Sequence, residues 1–160
     1  MIVTAWRIVK RKHVKTAFSG DGARLFGGRW NNPGVPLIYT ATSQSLATLE
    51  ILVHLEAPDL LERYVILGVE LEESLIVNVD QSRLPKNWRA NPAPPGAGAI
   101  GDEWAAARVS AVLRVPSMIV PSEHNLLLNP LHRNFSRLKI ADSSAFRFDS
   151  RLLKAHRRGT

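Results

Sequence analysis

The sequence predicts a single α+β domain with short mixed or antiparallel sheets and a few helices. Three observations lead there. At 160 residues the chain can bury a core without staples and is too short for two large ones. Apolar runs of strand length outnumber helical runs. The two kinds do not alternate in the strict βαβ order of a doubly wound sheet.

The elements follow in order. Ile2 to Val9 reads as an opening strand, and the Lys10-Arg11-Lys12-His13 run after it as solvated chain. Gly20 to Ala23 is a loop by composition. The pair Gly27-Gly28 permits backbone shapes that residues with a Cβ resist, and Asn31-Asn32-Pro33-Gly34 is a turn signal. Pro36 to Ala41 is a short apolar strand. Thr42 or Ser43 can cap the next helix, whose apolar side is formed by Leu46, Leu49, Leu52, Val53 and Leu55. Tyr64 to Leu71 and Ser74 to Val79 are two strands joined at Glu72-Glu73. Asn91 to Gly101, rich in Pro, Gly and Ala, reads as a loop or lid. Asp102 caps a helix carrying Trp104 to Val109. Ala111 to Val120 is a strand bent at Pro116-Ser117. Asn125 to Pro130 is a loop or short strand, Phe135 to Ile140 and Phe146 to Phe148 are late strands, and residues 155–160 form a basic, frayed tail.

Composition excludes some chemistries. Without cysteine there is no disulfide framework, thiolate nucleophile or Cys-based zinc site. No apolar run reaches the roughly 20 residues of a membrane-spanning helix, and no signal-peptide core follows the N-terminal basic residues. The expectation is a soluble cytoplasmic protein without a bound metal. The net charge of +7 is uneven. Residues 1–24 and 133–160 hold 14 of the 21 Lys and Arg but only three acids. Such ends can meet a polyanion or stay as solvated surface. No aromatic interleaving of the kind that stacks bases accompanies them, so direct nucleic-acid binding is not expected.

Chemistry-bearing groups gather between residues 27 and 54. Arg29 follows two glycines and can fork onto phosphate or carboxylate, or simply sit on a hairpin surface. Tyr39 ends a strand and can pack, hydrogen-bond or stack on a flat ligand. Glu50 lies at the edge of its helix's apolar stripe, where a carboxylate has either a partner or a chemical task. His54 lies one turn on, but this is not the His-Glu-x-x-His zinc pattern. Ser117 has no Gly-x-Ser-x-Gly elbow around it, so a hydrogen-bonding role is expected and not a nucleophilic one.

Taken together, these pieces resemble the RES-domain toxins. The matching segments are Trp6-Arg7, Gly27 to Asn31, Tyr39 to Ala41, Leu46 to Glu50, Val115 to Ser117, Asn125 to Pro130 with His132, and Phe148 to Leu152. They stand in family order from Trp6 to Leu152, and the resemblance implies a RES domain over residues 1–154. The resemblance implies an ADP-ribosyltransferase-like fold with NAD as substrate in a cleft. It also implies the toxin half of a bacterial toxin–antitoxin pair, whose helical DNA-binding antitoxin occludes that cleft. Cleavage would fall at the nicotinamide–ribose bond, by hydrolysis, phosphorolysis or ADP-ribose transfer to a protein. Glu50, Arg29 and Ser117 are the implied catalytic residues. Arg7, Arg29, Tyr39, Glu50, Ser117 and Asn129 are the implied NAD contacts. Thr48 stands where many arginine-modifying transferases carry the first acid of a Glu-x-Glu pair, which disfavours arginine as acceptor. The alternative reading is a basic nucleic-acid or partner-binding module without catalysis.

Overall fold

A computed structural model describes residues 1–154; the expected basic tail lies outside them. Eight strands form one sheet: β1 (Ile2–Lys10), β2 (Ile38–Ala41), β3 (Tyr64–Glu72), β4 (Ile76–Asn78), β5 (Val112–Pro116), β6 (His124–Leu128), β7 (Lys139–Ile140) and β8 (Ser144–Phe146). Their order is β4-β5-β6-β2-β1-β3-β7, with β8 also on β3. Pairing is antiparallel except between β4 and β5. Among the described residues there are three α-helices: α1 (Asp21–Phe26), α2 (Gln44–Leu52) and α3 (Pro95–Ala107). The architecture is the expected α+β.

The longest ladder joins β1 to β3, from Ile2↔Glu72 to Lys10↔Tyr64. β3 and β4 are consecutive in the chain but five interstrand steps apart in the sheet. That is about 24 Å if the sheet were flat. The link between them is only Glu73–Leu75, which spans at most about 14 Å. The sheet therefore curls on itself. The two strands are thus not the neighbouring pair their sequence suggests.

The curl gives the sheet two buried faces. Leu126 and Leu128 join Ile38, Val69 and Val112 inside the curve. Leu127, between them, points the other way with Leu113, Val115 and α3. A strand buried on both faces shows no polar alternation, which is why Asn125 to Pro130 reads ambiguously. Each such leucine contributes roughly 1.5–3 kcal/mol of burial.

Two expected loops are helices. Gly20 to Ala23 opens α1, with Gly20 at φ 77° as its N-cap. Asn91 to Gly101 contains the start of α3, since Pro95 at the first helical position lacks only a donor that would be orphaned there. Asp102 is then a mid-helix residue, and its carboxylate accepts from Asn32 N at 3.0 Å and Asn32 Nδ2 at 2.7 Å. The spacing Gly96-x-Gly98-x-x-Gly101 copies a dinucleotide fingerprint, yet no strand feeds it. These glycines serve close packing. A Cβ on Gly101 would lie 1.7 Å from the Trp30 carbonyl oxygen.

Candidate active site

A cleft of about 780 Å³ opens where β1 and β2 part. The two strands pair at a single position, Trp6↔Ala41. Arg7 fills the split. Its Nε donates to Ala17 O at 2.8 Å and its Nη1 to Tyr39 O at 2.8 Å. Its Nη2 has no protein acceptor among the described residues. No carboxylate pairs with it there, and burial pushes the guanidinium down to about 10. It therefore remains a cation at neutral pH, facing the cleft without an anion.

The turn carrying Arg29 is built by its neighbours. Gly27 takes φ 71°, and Gly28 and Asn31 close a narrow bridge. Asn31 is buried, and its Nδ2 donates to the carbonyls of Ala23, Asn32 and Val35. Its Oδ1 accepts the Tyr39 hydroxyl at 2.6 Å, and that hydroxyl accepts Trp30 N at 3.1 Å. With both sides of its hydroxyl engaged, Tyr39 offers the cleft its ring. Burial raises its phenol above the usual tyrosine value. Gly28 is obligatory in this arrangement, because a Cβ there would lie 2.6 Å from the Tyr39 hydroxyl.

Arg29 reaches the cleft but is not free. Its Nη1 donates to Trp88 O at 2.7 Å and Ala90 O at 2.8 Å, and its Nη2 to Met118 Sδ at 2.8 Å. It thus ties residues 88–90 to the cleft's edge, beside the Trp30–Trp88 contact with centroids 5.9 Å apart. Burial lowers its pKa, opposed by the nearby charge of Glu50.

Glu50 stands on α2, which Ser43 caps by accepting from Leu46 N at 3.1 Å. Ser117, fully buried at 0% exposure, donates to Glu50 Oε1 at 2.9 Å. The Ser117 oxygen also accepts from Ile119 N at 3.1 Å and Val120 N at 3.2 Å. Glu50 Oε2 is left without a partner among the described residues. His54 lines the cleft one turn further along α2. The expected apolar stripe of α2 is split: Leu46, Leu52 and Leu55 are buried, but Val53 is 61% exposed at the cleft. Phe26, 84% exposed, follows the cleft-lining Ala23 on α1.

The fold therefore gathers Arg7, Arg29, Tyr39 and Glu50 around one cavity, with Ser117 just behind it. It does not bring Asn129 there. That side chain is buried, its Nδ2 donating to Ala105 O at 3.2 Å and its Oδ1 accepting Leu131 N at 3.0 Å. Asn129, expected as an NAD contact, thus stands in a turn outside the cleft lining. His132 shares that region, with Nε2 3.0 Å from Arg108 O and Nδ1 accepting Asn134 N at 3.0 Å. Sequence reasoning missed the bracing role of Asn31 and the carbonyl anchors of Arg29, which carry no local signal. Among the described residues, no three His, Asp or Glu side chains converge on a metal position, and no helix is long and apolar enough to cross a membrane.

Residues 4–149 match the RES domain. The chain is 43% identical over 148 residues to a protein of Yersinia enterocolitica named Toxin Res, covering 92% of this chain and 97% of that one. It is 36% identical over 160 residues to a Sphingobium protein named Prs ADP-ribosylating toxin, covering 96% and 99%. The fold matches a chain of the Mycobacterium tuberculosis MbcT–MbcA toxin–antitoxin complex with a TM-score of 0.74. That match has 21% identity and covers 98% of this chain and 90% of the other.

Proposed function

This chain belongs to the RES-domain family, and we propose that it is the toxin of a toxin–antitoxin pair that cleaves the nicotinamide–ribose bond of NAD. The observation that carries this reading is the pairing, in one cleft, of a braced carboxylate with two partly satisfied guanidiniums. The name of the Sphingobium relative supports ADP-ribose chemistry.

In this reading each residue has a physical task. Bond cleavage builds positive charge on the ribose, as in glycosidases. Glu50 stabilises that charge through Oε2, while Oε1 is held by Ser117. Ser117 is a positioning residue, because its single proton is committed to Glu50. The free Nη2 of Arg7 and the remaining N–H groups of Arg29 take the diphosphate. The Tyr39 ring carries the nicotinamide. The cleft volume of about 780 Å³ lies within the usual ligand-pocket range of roughly 300–1,000 Å³. The antitoxin covers the cleft, whose lining residue Val53 exposes apolar surface.

The test is incubation of the intact protein with NAD, with and without phosphate and with cell lysate. Free nicotinamide with ADP-ribose identifies a hydrolase, and ADP-ribose phosphate a phosphorylase. ADP-ribose fixed to a lysate protein identifies a transferase. NAD left intact in every condition overturns the reading.

A further inference from the structure

The structure brings together basic residues that lie far apart in the chain, on a part of the sheet that does not line the cleft. β1 ends at Lys10, opposite Tyr64 at the start of β3, and Tyr64 is opposite Phe146 at the end of β8. Arg11, Arg63 and Arg147 are the residues that leave these three neighbouring strand ends. Arg11 N donates to Arg63 O at 2.8 Å.

All three arginines are exposed. The ion pairs among the described residues use Lys10, Lys12, Arg24, Arg83, Arg114, Arg137 and Arg151, but none of these three. The local acids are already engaged: Asp59 by Lys10 and Glu62 by Lys12. Lys15, exposed on the turn Arg11–Thr16, adds to the same end. Unpaired like charges gathered at one end of the sheet repel one another and favour an anion from outside the fold.

We propose that Arg11, Arg63 and Arg147 form a docking row for the phosphate backbone of double-stranded DNA, separate from the NAD cleft. Three features select this partner. Guanidinium forks match phosphate oxygens. A protein interface needs an apolar core, but Leu61 is the one large apolar side chain exposed in residues 10–16, 59–63 and 144–150. Single strands need stacking aromatics, but Phe146 and Phe148 are packed edge-on against each other at 5.1 Å and Phe148 likewise against Tyr64. Duplex phosphates need neither. The row accounts for the basic chain ends in a way invisible in the sequence, because Arg63 comes from the otherwise acidic middle of the chain.

The test measures anisotropy of a fluorescent ~20-base-pair duplex against the full chain between about 50 and 200 mM salt. R11Q/R63Q/R147Q is compared with R24Q/R83Q/R137Q, which removes equal charge from ion-paired arginines. Loss of three phosphate contacts lowers the slope of log affinity against log salt by about 2.7. It also weakens binding at least tenfold at the low-salt end. The control variant keeps most of the slope, and NAD turnover is unchanged in both. Equal losses in the two variants, or an unchanged slope in the first, overturn the proposal. So does tighter binding of an acidic polypeptide than of the duplex, which would make the row a protein-docking surface. None of these outcomes depends on whether the cleft turns over NAD.

Discussion

Ser117 gives its only hydroxyl proton to Glu50 Oε1 across a sequence separation of 67 residues. The same oxygen accepts two backbone N–H groups of the turn that follows it. Glu50 is thereby held against the one place where β5 ends, and its free oxygen is aimed by a group that cannot itself attack.

Glu50→Gln keeps the size of the side chain and an acceptor for Ser117 while removing the charge. NAD consumption should fall by about 10²–10³-fold with the melting temperature unchanged. Chromatography of nicotinamide release and a thermal melt measure both. Normal turnover in this variant would remove Glu50 from the mechanism.

Ser117→Ala frees Glu50 and strands the Ile119 and Val120 amides. Stability should drop by roughly 1–3 kcal/mol. Turnover should fall through kcat with KM little changed, and by less than in Glu50→Gln. A larger loss than Glu50→Gln produces would mean that Ser117 touches the reacting atoms.

Gly101→Ala drives a Cβ into the Trp30 carbonyl oxygen, 1.7 Å away, with backbone on both sides. The expected loss is about 3 kcal/mol or more, at the upper end for overpacking. Gly28→Ala meets side-chain atoms instead of backbone, the Tyr39 hydroxyl at 2.6 Å, its Cζ at 2.9 Å and Asn31 Oδ1 at 3.1 Å, so it should cost less stability than Gly101→Ala and act on NAD affinity through the displaced ring. Urea melts and KM values separate the two. Comparable stability losses would contradict the packing described here.

Tyr39 titrates above its ordinary value because burial favours the neutral phenol. The unfolded chain releases this proton near pH 10 and the folded chain later. Its contribution is therefore complete below about pH 10 and is lost as pH rises through the folded value. Arg7 pulls the other way, since its folded value is the lower one. Tyr39→Phe should accordingly lose stability less steeply than the parent above about pH 10. Parallel urea midpoints from neutral to alkaline pH would refute the assignment.

The parts of the fold that were legible are those set by local pattern. β1 and β3 show as apolar runs, and Ser43 as a cap three residues before Leu46. Arg29, Tyr39 and Glu50 follow one another closely enough that successive elements had to bring them together. α3 was hidden because Pro, Gly and Ala read as loop, while here Gly98 and Gly101 are required by contact with Asn32 and Trp30. Asn129 belongs to a matching motif, yet motif membership does not distinguish a ligand contact from a turn that two hydrogen bonds hold. The anchors of Arg29 lie 59, 61 and 89 residues away, beyond the reach of any periodicity.

The ladder from β2 to β6, fastened by Thr40 Oγ1 on Leu126 O across 86 residues, has a consequence during synthesis. A nascent chain that has emerged as far as α2 already carries Arg7, Arg29, Tyr39 and Glu50, but neither the strand that backs Tyr39 nor the hydroxyl that steadies Glu50. Non-local pairings of this kind form late, after their loop entropy has been met. A fragment that stops before β5 and β6 therefore lacks both the strand behind Tyr39 and the brace on Glu50, and the cleft as described assembles only after those two strands have been made.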